Sequence, residues 1–230
     1  MSSTRLPGKV MRDLAGAPMI VRQIERLRRC RRLDALVVAT SEKPPDDPLA
    51  AAMQALELPV FRGSLTDVLG RFVAATDAFG PAEHVVRLTA DCPLTEPAVI
   101  DALVDLHLER GTDYASNVVP TRTFAHGLDA EIVRAEVLRA AAEEATDAYD
   151  REHVTPFVNR RPERFPQACL TQAADDAQLR WTVDTPDDFA FVEAVYAALH
   201  ADNPLFGPPE IKALVADRPD LRQLGGYPRG

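Results

Sequence analysis

Short apolar runs alternate with amphipathic helical patterns along most of this chain, and this alternation limits the possible fold more than any other feature. It is typical of a mostly parallel sheet with helices on both faces, since parallel neighbours need a crossover connection. The predicted strands are residues 35–40, 59–61, 84–89, 114–117, 128–133 and 180–183. The predicted helices are residues 19–29, 66–79 and 97–109, and one that begins after Thr185. The sequence therefore predicts an α/β fold.

Helix boundaries and domain limits are predicted from capping residues and composition. Thr95 and Gly111 are expected to bound the third helix, and Thr185 is expected to cap the last, because Pro186 and two acids follow it. We expect one domain over residues 1–205, followed by a short helix and tail over 206–230.

The segment 122–152 combines a hairpin-like element with a helix, and we expect it to leave the main sheet as a small excursion. Its apolar residues are too numerous for a solvated loop, so they need a partner surface in the parent domain or in a second copy of the chain. These residues are Phe124, Leu128, Ile132, Val137 and Leu138. Arg151 and His153 are expected to lie in the first turn of the next helix.

The charge balance excludes some classes of partner. Acidic residues outnumber basic ones by 35 to 26, for a formal charge of −9 at pH 7. Broad electrostatic attraction to nucleic acid or to an anionic membrane is therefore not expected, and an anion site must be a local group of cations. Cys30, Cys92 and Cys169 form no CxxC pair, which indicates reduced thiols. With no signal peptide or long apolar run, we expect a cytoplasmic protein without a membrane span.

The N-terminal loop, Ser-Thr-Arg-Leu-Pro-Gly-Lys, has a composition suited to phosphate binding. Arg5 and Lys9 flank a Pro-Gly turn, Ser3 adds a hydroxyl, and Gly8 allows backbone N–H groups to approach a ligand. The spacing is not that of a P-loop, and no GxGxxG occurs, so neither a Walker-type NTPase nor a nicotinamide-binding domain is favoured. A polar N-terminal tail remains the alternative on composition alone.

Two aspartates follow predicted strands. Asp91 ends the run VVRLTAD, and Asp184 ends RWTVD. Ligands of open α/β sheets bind at the carboxyl ends of strands, and Mg²⁺ favours one or two carboxylates, waters and substrate phosphate oxygens. Together with the cationic loop, the two aspartates suggest nucleotidyl transfer. Taken singly, each could instead be a helix-capping or turn residue.

At these residues the sequence resembles the cytidylyltransferase family that includes acylneuraminate and deoxy-octulosonate cytidylyltransferases. It is most similar to the branch named after spore-coat polysaccharide biosynthesis protein F. The similarity covers residue 3 to about residue 199 in family order. The matching segments are STRLPGK, VVATS, DDPL, VFRGSLTDVLGRF, RLTADCPLTEP, SNV, RTFAHGLDAEI, REHVTPF and RWTVDTPDDF.

The resemblance implies a Rossmann-like nucleotide-diphospho-sugar transferase fold and a reaction in which CTP and a sugar acid give a CMP-sugar and pyrophosphate, with Mg²⁺. It implies a role for each of several residues. In the nucleotide site these are Ser3, Arg5 and Lys9 at the triphosphate, Thr40, Ser41 and Arg71 around the nucleotide, and Asp91 and Asp184 on the metal. Asp129, Arg151 and His153 would lie toward the sugar or a dimer contact, since family members are usually homodimers.

The resemblance also implies a buried strand before the loop, ending in Gln-Ala-Arg-Met-Gly-Ser, whose Arg contacts phosphate. Met1 falls at the internal Met, so this central strand and Arg are missing from the sequence. Loss of such a strand is expected to leave two sheet edges unpaired. A misassigned start codon is the preferred interpretation. A truncated non-catalytic nucleotide-binding subunit is an alternative, and a nucleotide-sugar glycosyltransferase, which shares strand-end aspartates, is another.

Overall fold

The structure is a computed structural model that describes residues 5–222 and 224. Its helices are α1 (Met19–Leu27), α2 (Asp47–Ala55), α3 (Val68–Phe79), α4 (Pro97–Arg110), α5 (Ala135–Glu144), α6 (Ala148–His153), α7 (Pro156–Asn159), α8 (Pro186–Leu199) and α9 (Pro208–Asp217). Its strands are β1 (Asp13–Leu14), β2 (Ala17–Pro18), β3 (Val38–Ser41), β4 (Val60–Gly63), β5 (His84–Arg87), β6 (Tyr114–Ser116), β7 (Glu131–Arg134) and β8 (Gln167–Cys169). None of the described helices is both long enough and apolar enough to cross a bilayer.

The strands form mixed rather than mostly parallel sheets. β3 and β4 pair in parallel, with Val38 opposite Val60. A four-stranded sheet has the order β5-β7-β6-β8, in which β7 runs antiparallel to both neighbours and β6 and β8 are parallel. The reason is that residues 117–130, between β6 and β7, contain no crossover helix. Within the described residues, β3 and β5 each have a single ladder partner.

The expectation that segment 122–152 leaves the sheet is wrong, because β7 lies inside it. Alternate β7 residues face opposite helical layers. Val133 packs in a cluster with Leu138 of α5, and Ile132 packs in a cluster with Ile100 of α4. Helices therefore cover both faces of this sheet, as predicted. The segment's apolar residues are buried within the chain, so they no longer argue for a homodimer, which stays a prediction.

A third apolar cluster joins the N-terminal segment to α1, α8 and α9. Trp181 lies in this cluster with only 2% of its surface exposed, and Ile211 of α9 is fully buried there. The predicted strand over residues 180–183 is not formed, because this segment pairs with a loop. One bridge links Arg180 to His126, and no ladder extends from it in the described chain.

The capping predictions have mixed outcomes. Thr185 caps α8 in a capping box with Asp188, as expected from the sequence. Gly111 ends α4 in the left-handed conformation at φ 61°, but the N-cap of α4 is Glu96 rather than Thr95. His153 ends α6 rather than beginning a helix. The predicted C-terminal helix is α9; most of the predicted tail, residues 223 and 225–230, lies outside the described residues.

Candidate active site

The cationic loop and the two strand-end aspartates meet at one place. Lys9 Nζ donates to Asp91 Oδ2 and to Asp184 Oδ1, each at 3.1 Å, and to the Val183 carbonyl at 2.6 Å. The backbone N–H of Val183 also donates to the Asp91 carbonyl at 2.8 Å, which ties the two acidic segments together. Three residues that are far apart in the sequence thus share one hydrogen-bonded centre.

Further cations surround Asp184. Arg180 Nη2 donates to Asp184 Oδ2 at 2.7 Å, and the exposed Arg5 lies 3.2 Å from Asp184 Oδ1. Burial raises the pKa of Asp184, but hydrogen bonds from Arg180 and Lys9 and the nearby positive charges outweigh burial and hold that pKa below its usual value. Asp184 is therefore ionised at neutral pH.

Asp184 is not a helix cap, because Thr185 and Asp188 form the capping box of α8. Asp188 is 2% exposed and accepts hydrogen bonds from the backbone N–H groups of Asp184 and Thr185, each at 2.9 Å. It also accepts from Arg180. All of these contacts lie within the helix start, so Asp188 stabilises the turn, whereas Asp184 points its carboxylate at Lys9.

Asp91 is oriented by its own turn. Thr89 Oγ1 donates to Asp91 Oδ1 at 2.6 Å, and Gln23 of α1 donates to the Thr89 carbonyl at 2.8 Å. The neighbouring Cys92 is buried, and burial raises the pKa of its thiol well above the usual value. Cys92 is therefore a packed, protonated thiol, as the sequence predicts. None of the three cysteines forms a disulfide.

The donor set fits a hard divalent cation. Two partly exposed carboxylates and one carbonyl oxygen converge on the ammonium of Lys9, which shows that a positive charge is accommodated there. All three ligand atoms are oxygens, the type that Mg²⁺ prefers, and Mg²⁺ keeps several waters of its own. No group of three or more His, Cys, Asp or Glu side chains suited to a metal occurs within the described residues. The remaining ligands would come from water and substrate.

Thr40 and Ser41 lie at the end of β3, where their hydroxyls bind an acidic residue that the sequence analysis did not single out. Both hydroxyls donate to Asp46 Oδ2, at 2.7 Å and 2.6 Å, and the Ser41 N–H donates to the same atom at 3.0 Å. Asp46 belongs to the DDPL segment. The two hydroxyls are thus held by the protein in this structure.

Arg71 lies beside this group. Burial lowers the pKa of Arg71, and the negative charges of Asp46 and Asp67 oppose that shift. One guanidinium nitrogen donates to the Ser64 carbonyl, but the buried Nε has no hydrogen-bond partner among the described residues. A partly buried guanidinium with an unused donor is suited to bind an anionic or carbonyl ligand.

Asp129 lies near the group formed by Lys9, Asp91 and Asp184, which is called the aspartate cluster below. Arg122 forms two hydrogen bonds to it, at 2.6 Å and 2.8 Å, and its negative charge contributes to the raised pKa of Cys92. Gly127, in the same loop, has φ 100°, and a Cβ there would lie 2.6 Å from backbone atoms of Trp181 and Thr182. The loop that contains Gly127 can therefore pack against the Trp181–Thr182 backbone, which leads to Asp184, only with glycine at position 127.

Arg151 and His153 have surroundings different from those expected. Arg151 donates to Asp67 Oδ2 at 2.7 Å and to the Ala142 and Ala145 carbonyls at 2.9 Å, so it links the end of α5 to the start of α3. His153 is exposed, with its ring 4.3 Å from the ring of Tyr149. Contact of either residue with a sugar stays a prediction. Ser3 lies outside the described residues.

Sequence reasoning missed Arg180, Asp188 and Asp46. The signal for the first two was present, because Arg180, Asp184 and Asp188 are spaced by four residues around a helix start. No comparable spacing in the sequence points to Asp46, since the turn between β3 and α2 determines which β3 residues it contacts.

The chain is similar to several known proteins. The model of a family described as "Cytidylyltransferase" matches residues 1–196. The spore coat polysaccharide biosynthesis protein SpsF of Bacillus subtilis is 32% identical over 227 residues, covering 96% of this chain and 92% of that protein. A 3-deoxy-manno-octulosonate cytidylyltransferase of Anaeromyxobacter dehalogenans is 34% identical over 148 residues, or 64% of this chain and 57% of that enzyme.

The fold is also shared with a solved structure. A cytidylyltransferase from Leptospira borgpetersenii has a TM-score of 0.91 and 28% identity, and the match covers 100% of this chain and 95% of the other. This likeness confirms the nucleotidyltransferase fold that the resemblance implied.

Proposed function

Because the chain belongs to the cytidylyltransferase family, we propose that it transfers CMP from CTP to a sugar acid, with release of pyrophosphate, during synthesis of a surface polysaccharide. The observation that carries the proposal is the convergence of Lys9, Asp91 and Asp184. The choice of acceptor is supported by relatives named for spore coat polysaccharide synthesis and for 3-deoxy-manno-octulosonate. The cytoplasmic location expected from the sequence belongs to the proposal.

In the proposed reaction a sugar hydroxyl attacks the α-phosphorus of CTP. A phosphorus–oxygen bond to the sugar forms, the bond to the bridging oxygen of pyrophosphate breaks, and the hydroxyl proton is released. Lys9 and Arg5 would donate to the phosphate oxygens, where negative charge moves onto the leaving pyrophosphate. Positioning and charge stabilisation then supply most of the rate enhancement, as in other phosphoryl transfers.

Asp91 and Asp184 would hold Mg²⁺, for which their oxygen ligands are suited. A bound Mg²⁺ would neutralise phosphate charge and orient the triphosphate. The chain's own part is to hold both carboxylates in place. Thr89 orients Asp91, and Arg180 orients Asp184.

Arg71, Thr40 and Ser41 form the proposed nucleotide side of the site. The partnerless Nε of Arg71 supports this assignment, since a bound nucleotide would supply the acceptor that the described residues lack. Asp129 is proposed to face the sugar from its place beside Cys92, held by Arg122. Arg151 and His153 are proposed to act at the sugar only if the α6 region reorients or contacts a partner copy.

The direct test is pyrophosphate release from CTP and Mg²⁺ with a panel of octulosonic and nonulosonic acids. We expect release with at least one acid, and a strong preference for CTP over ATP, GTP and UTP. CTP binding without turnover across the panel would show that the acceptor class is wrong. A folded protein that binds no CTP would overturn the proposed activity itself.

A further inference from the structure

A second charged pocket lies between α1 and α8, apart from the aspartate cluster. Its volume is about 310 Å³, at the lower end of the range of small-molecule sites, which is about 300–1,000 Å³. Arg22, Arg26 and Arg29 line one side, and Tyr196 and His200 line the other. Neither the three cluster residues Lys9, Asp91 and Asp184 nor the nucleotide-side residues line it.

The pocket has more positive than negative charge. Glu25 is the carboxylate in its lining, and it is already paired with Arg22 at 2.9 Å. The nearest carboxylate contact of Arg26 is Glu96 at a long 3.5 Å. Arg29 has no carboxylate within 4.0 Å of its guanidinium among the described residues; its Nε faces the Arg26 carbonyl at 3.5 Å. This excess is local, in a chain whose net charge is −9.

Arg26 is the buried member of this group. Its side chain is 4% exposed, its Nε donates to the Thr95 carbonyl at 2.6 Å, and its guanidinium stacks 4.8 Å from the Phe206 ring. Its Nη1 is buried and has no hydrogen-bond partner among the described residues. A buried cation without full pairing is costly, and a nearby anion reduces that cost.

His200 adds a second unused polar atom. Its Nδ1 is buried and has no partner within the described part of the chain. Arg26 and His200 thus each bring to the lining of this pocket a buried nitrogen that has no hydrogen-bond partner among the described residues. Arg29, in the same lining, has no carboxylate partner in the described part of the chain. An oxyanion matches both the charge and the donors of such a pocket.

We propose that this pocket binds the phosphate group of a small phosphomonoester. Arginine suits this ligand, since its planar guanidinium can donate two parallel hydrogen bonds to phosphate. The exposed side chain of Leu205 and Pro204 lie at the pocket and offer apolar contact to an organic part of the ligand. The pocket volume exceeds the need of phosphate alone, which favours an ester over the free ion.

The pocket adjoins the turn that carries Asp91. Tyr196 donates to the Pro93 carbonyl at 2.9 Å, and Arg26 donates to the Thr95 carbonyl. Two lining residues therefore hold the backbone just after Asp91. The lining of the pocket includes none of Lys9, Asp91 and Asp184, so binding there can be distinguished from binding in the proposed nucleotide site.

The test follows the imidazole resonance of His200 by NMR in the full chain, during titration with glycerol 3-phosphate, inorganic phosphate, or chloride at matched ionic strength. The chain has five histidines, and the His200→Gln variant assigns the signal. We expect a saturable shift with glycerol 3-phosphate, weaker saturation with phosphate, and none with chloride. Equal affinity for ester and free phosphate would reject the ester part of the proposal.

Two matched variants complete the test. Arg29→Gln removes the unmatched guanidinium and is expected to weaken binding at His200 by about tenfold or more, since hydrogen bonds to charged groups contribute about 1.5–3 kcal/mol. Arg28→Gln is the control, because Arg28 is exposed and bonds to the Leu56 carbonyl instead. The proposal would be overturned if neither glycerol 3-phosphate nor inorganic phosphate shifts the His200 signal. It would also be overturned if the signal responds equally in Arg29→Gln and Arg28→Gln. Both variants are away from the proposed catalytic groups, so failure here leaves the proposed transferase activity untouched.

Discussion

Two charged regions of this protein differ in how their charges are balanced. At the aspartate cluster, three cations (Arg5, Lys9, Arg180) contact three carboxylates (Asp91, Asp184, Asp188). In the pocket between α1 and α8, three arginines share the lining with one glutamate. The first region has equal numbers of cations and carboxylates, while the second has more cations than carboxylates.

This difference in charge balance indicates which kind of ligand each region is suited to bind. The cluster's carboxylates are partly exposed, with 27% of the Asp91 side chain and 21% of the Asp184 side chain accessible, so water and substrate can reach them. The Arg26 side chain is only 4% exposed, so its charge is poorly solvated by water. A metal would replace Lys9 in one region, whereas an oxyanion would complete the other. The following experiments test this contrast.

The largest effect is expected when one cluster carboxylate is removed. Asp91→Asn and Asp184→Asn should each lower turnover by about 100-fold or more, since removal of one preorganised charge-stabilising group costs about 10²–10³. Pyrophosphate release measures the effect, and Glu163→Gln, an exposed glutamate, is the control. Near-normal turnover of either variant at limiting Mg²⁺ would show that the residue is not a metal ligand.

The next effect separates Asp188 from Asp184. Asp188→Ala should lower the free energy of unfolding by about 2–4 kcal/mol, because it removes a helix cap and the buried partner of Arg180. Asp184→Ala should lower it by less, since that carboxylate is partly exposed. Urea denaturation followed by circular dichroism gives both values. Equal losses would mean that Asp184 is as structural as Asp188.

Lys9 should compete with the metal when no nucleotide is bound. Its ammonium contacts both carboxylates, so Lys9→Met should bind Mn²⁺ about tenfold more tightly, a gain of about 1.4 kcal/mol. Isothermal titration calorimetry without CTP measures this directly. Arg5→Gln is the control, because Arg5 is 63% exposed and, within the described residues, pairs with Asp184 but not with Asp91. Weaker Mn²⁺ binding by Lys9→Met would contradict the exchange of one cation for another.

A smaller effect is expected at a third charged pair, Arg151 with Asp67. Arg151→Ala should cost about 1 kcal/mol of stability, since exposed or half-exposed ion pairs contribute little and the carbonyl contacts add some. If Arg151 also acts at the sugar, KM for the acid will rise well beyond that of Asp67→Asn, which breaks the same pair. Equal KM values would limit Arg151 to a structural role.

The smallest effect concerns acid stability. The pKa of Asp188 is lowered because hydrogen bonds from Arg180 and two backbone N–H groups outweigh burial, which raises it. Its stabilising contribution is therefore present above the unfolded pKa of about 3.9 and is lost as pH falls through the lower folded pKa. Unfolding free energies measured from pH 5 downward should decline less steeply in Asp188→Asn than in wild type. Parallel curves would argue against this shift.

Prediction from sequence worked best where local chemistry decides the outcome. Thr185 caps its helix and Gly111 ends its helix, as expected. Lys9, Asp91 and Asp184 also lie together, although residues 180–183 form no strand, because the segment before Asp184 pairs with the Asp91 turn through the Val183 N–H. Such features depend on short patterns or on a topology that the apolar runs indicate.

Prediction failed where a residue's partner lies far away in the chain. Residues 131–134 have the apolar pattern of a strand, but that pattern does not state which neighbours they pair with or in which direction. The excursion was inferred from a hairpin-like element followed by a helix, but β7 of this segment pairs within the sheet.

By itself, the sequence determined the alternation of helices and strands, the helix start at Thr185, and the residue types of the aspartate cluster. These follow from backbone preferences and side-chain chemistry, which act over a few residues. Tertiary structure alone decided that Asp184 faces Lys9 while Asp188 is buried, that β7 joins the sheet, and that three arginines of the α1 region line a pocket closed by α8. Burial and charge pairing depend on which surfaces meet, and that is set only when the whole chain packs.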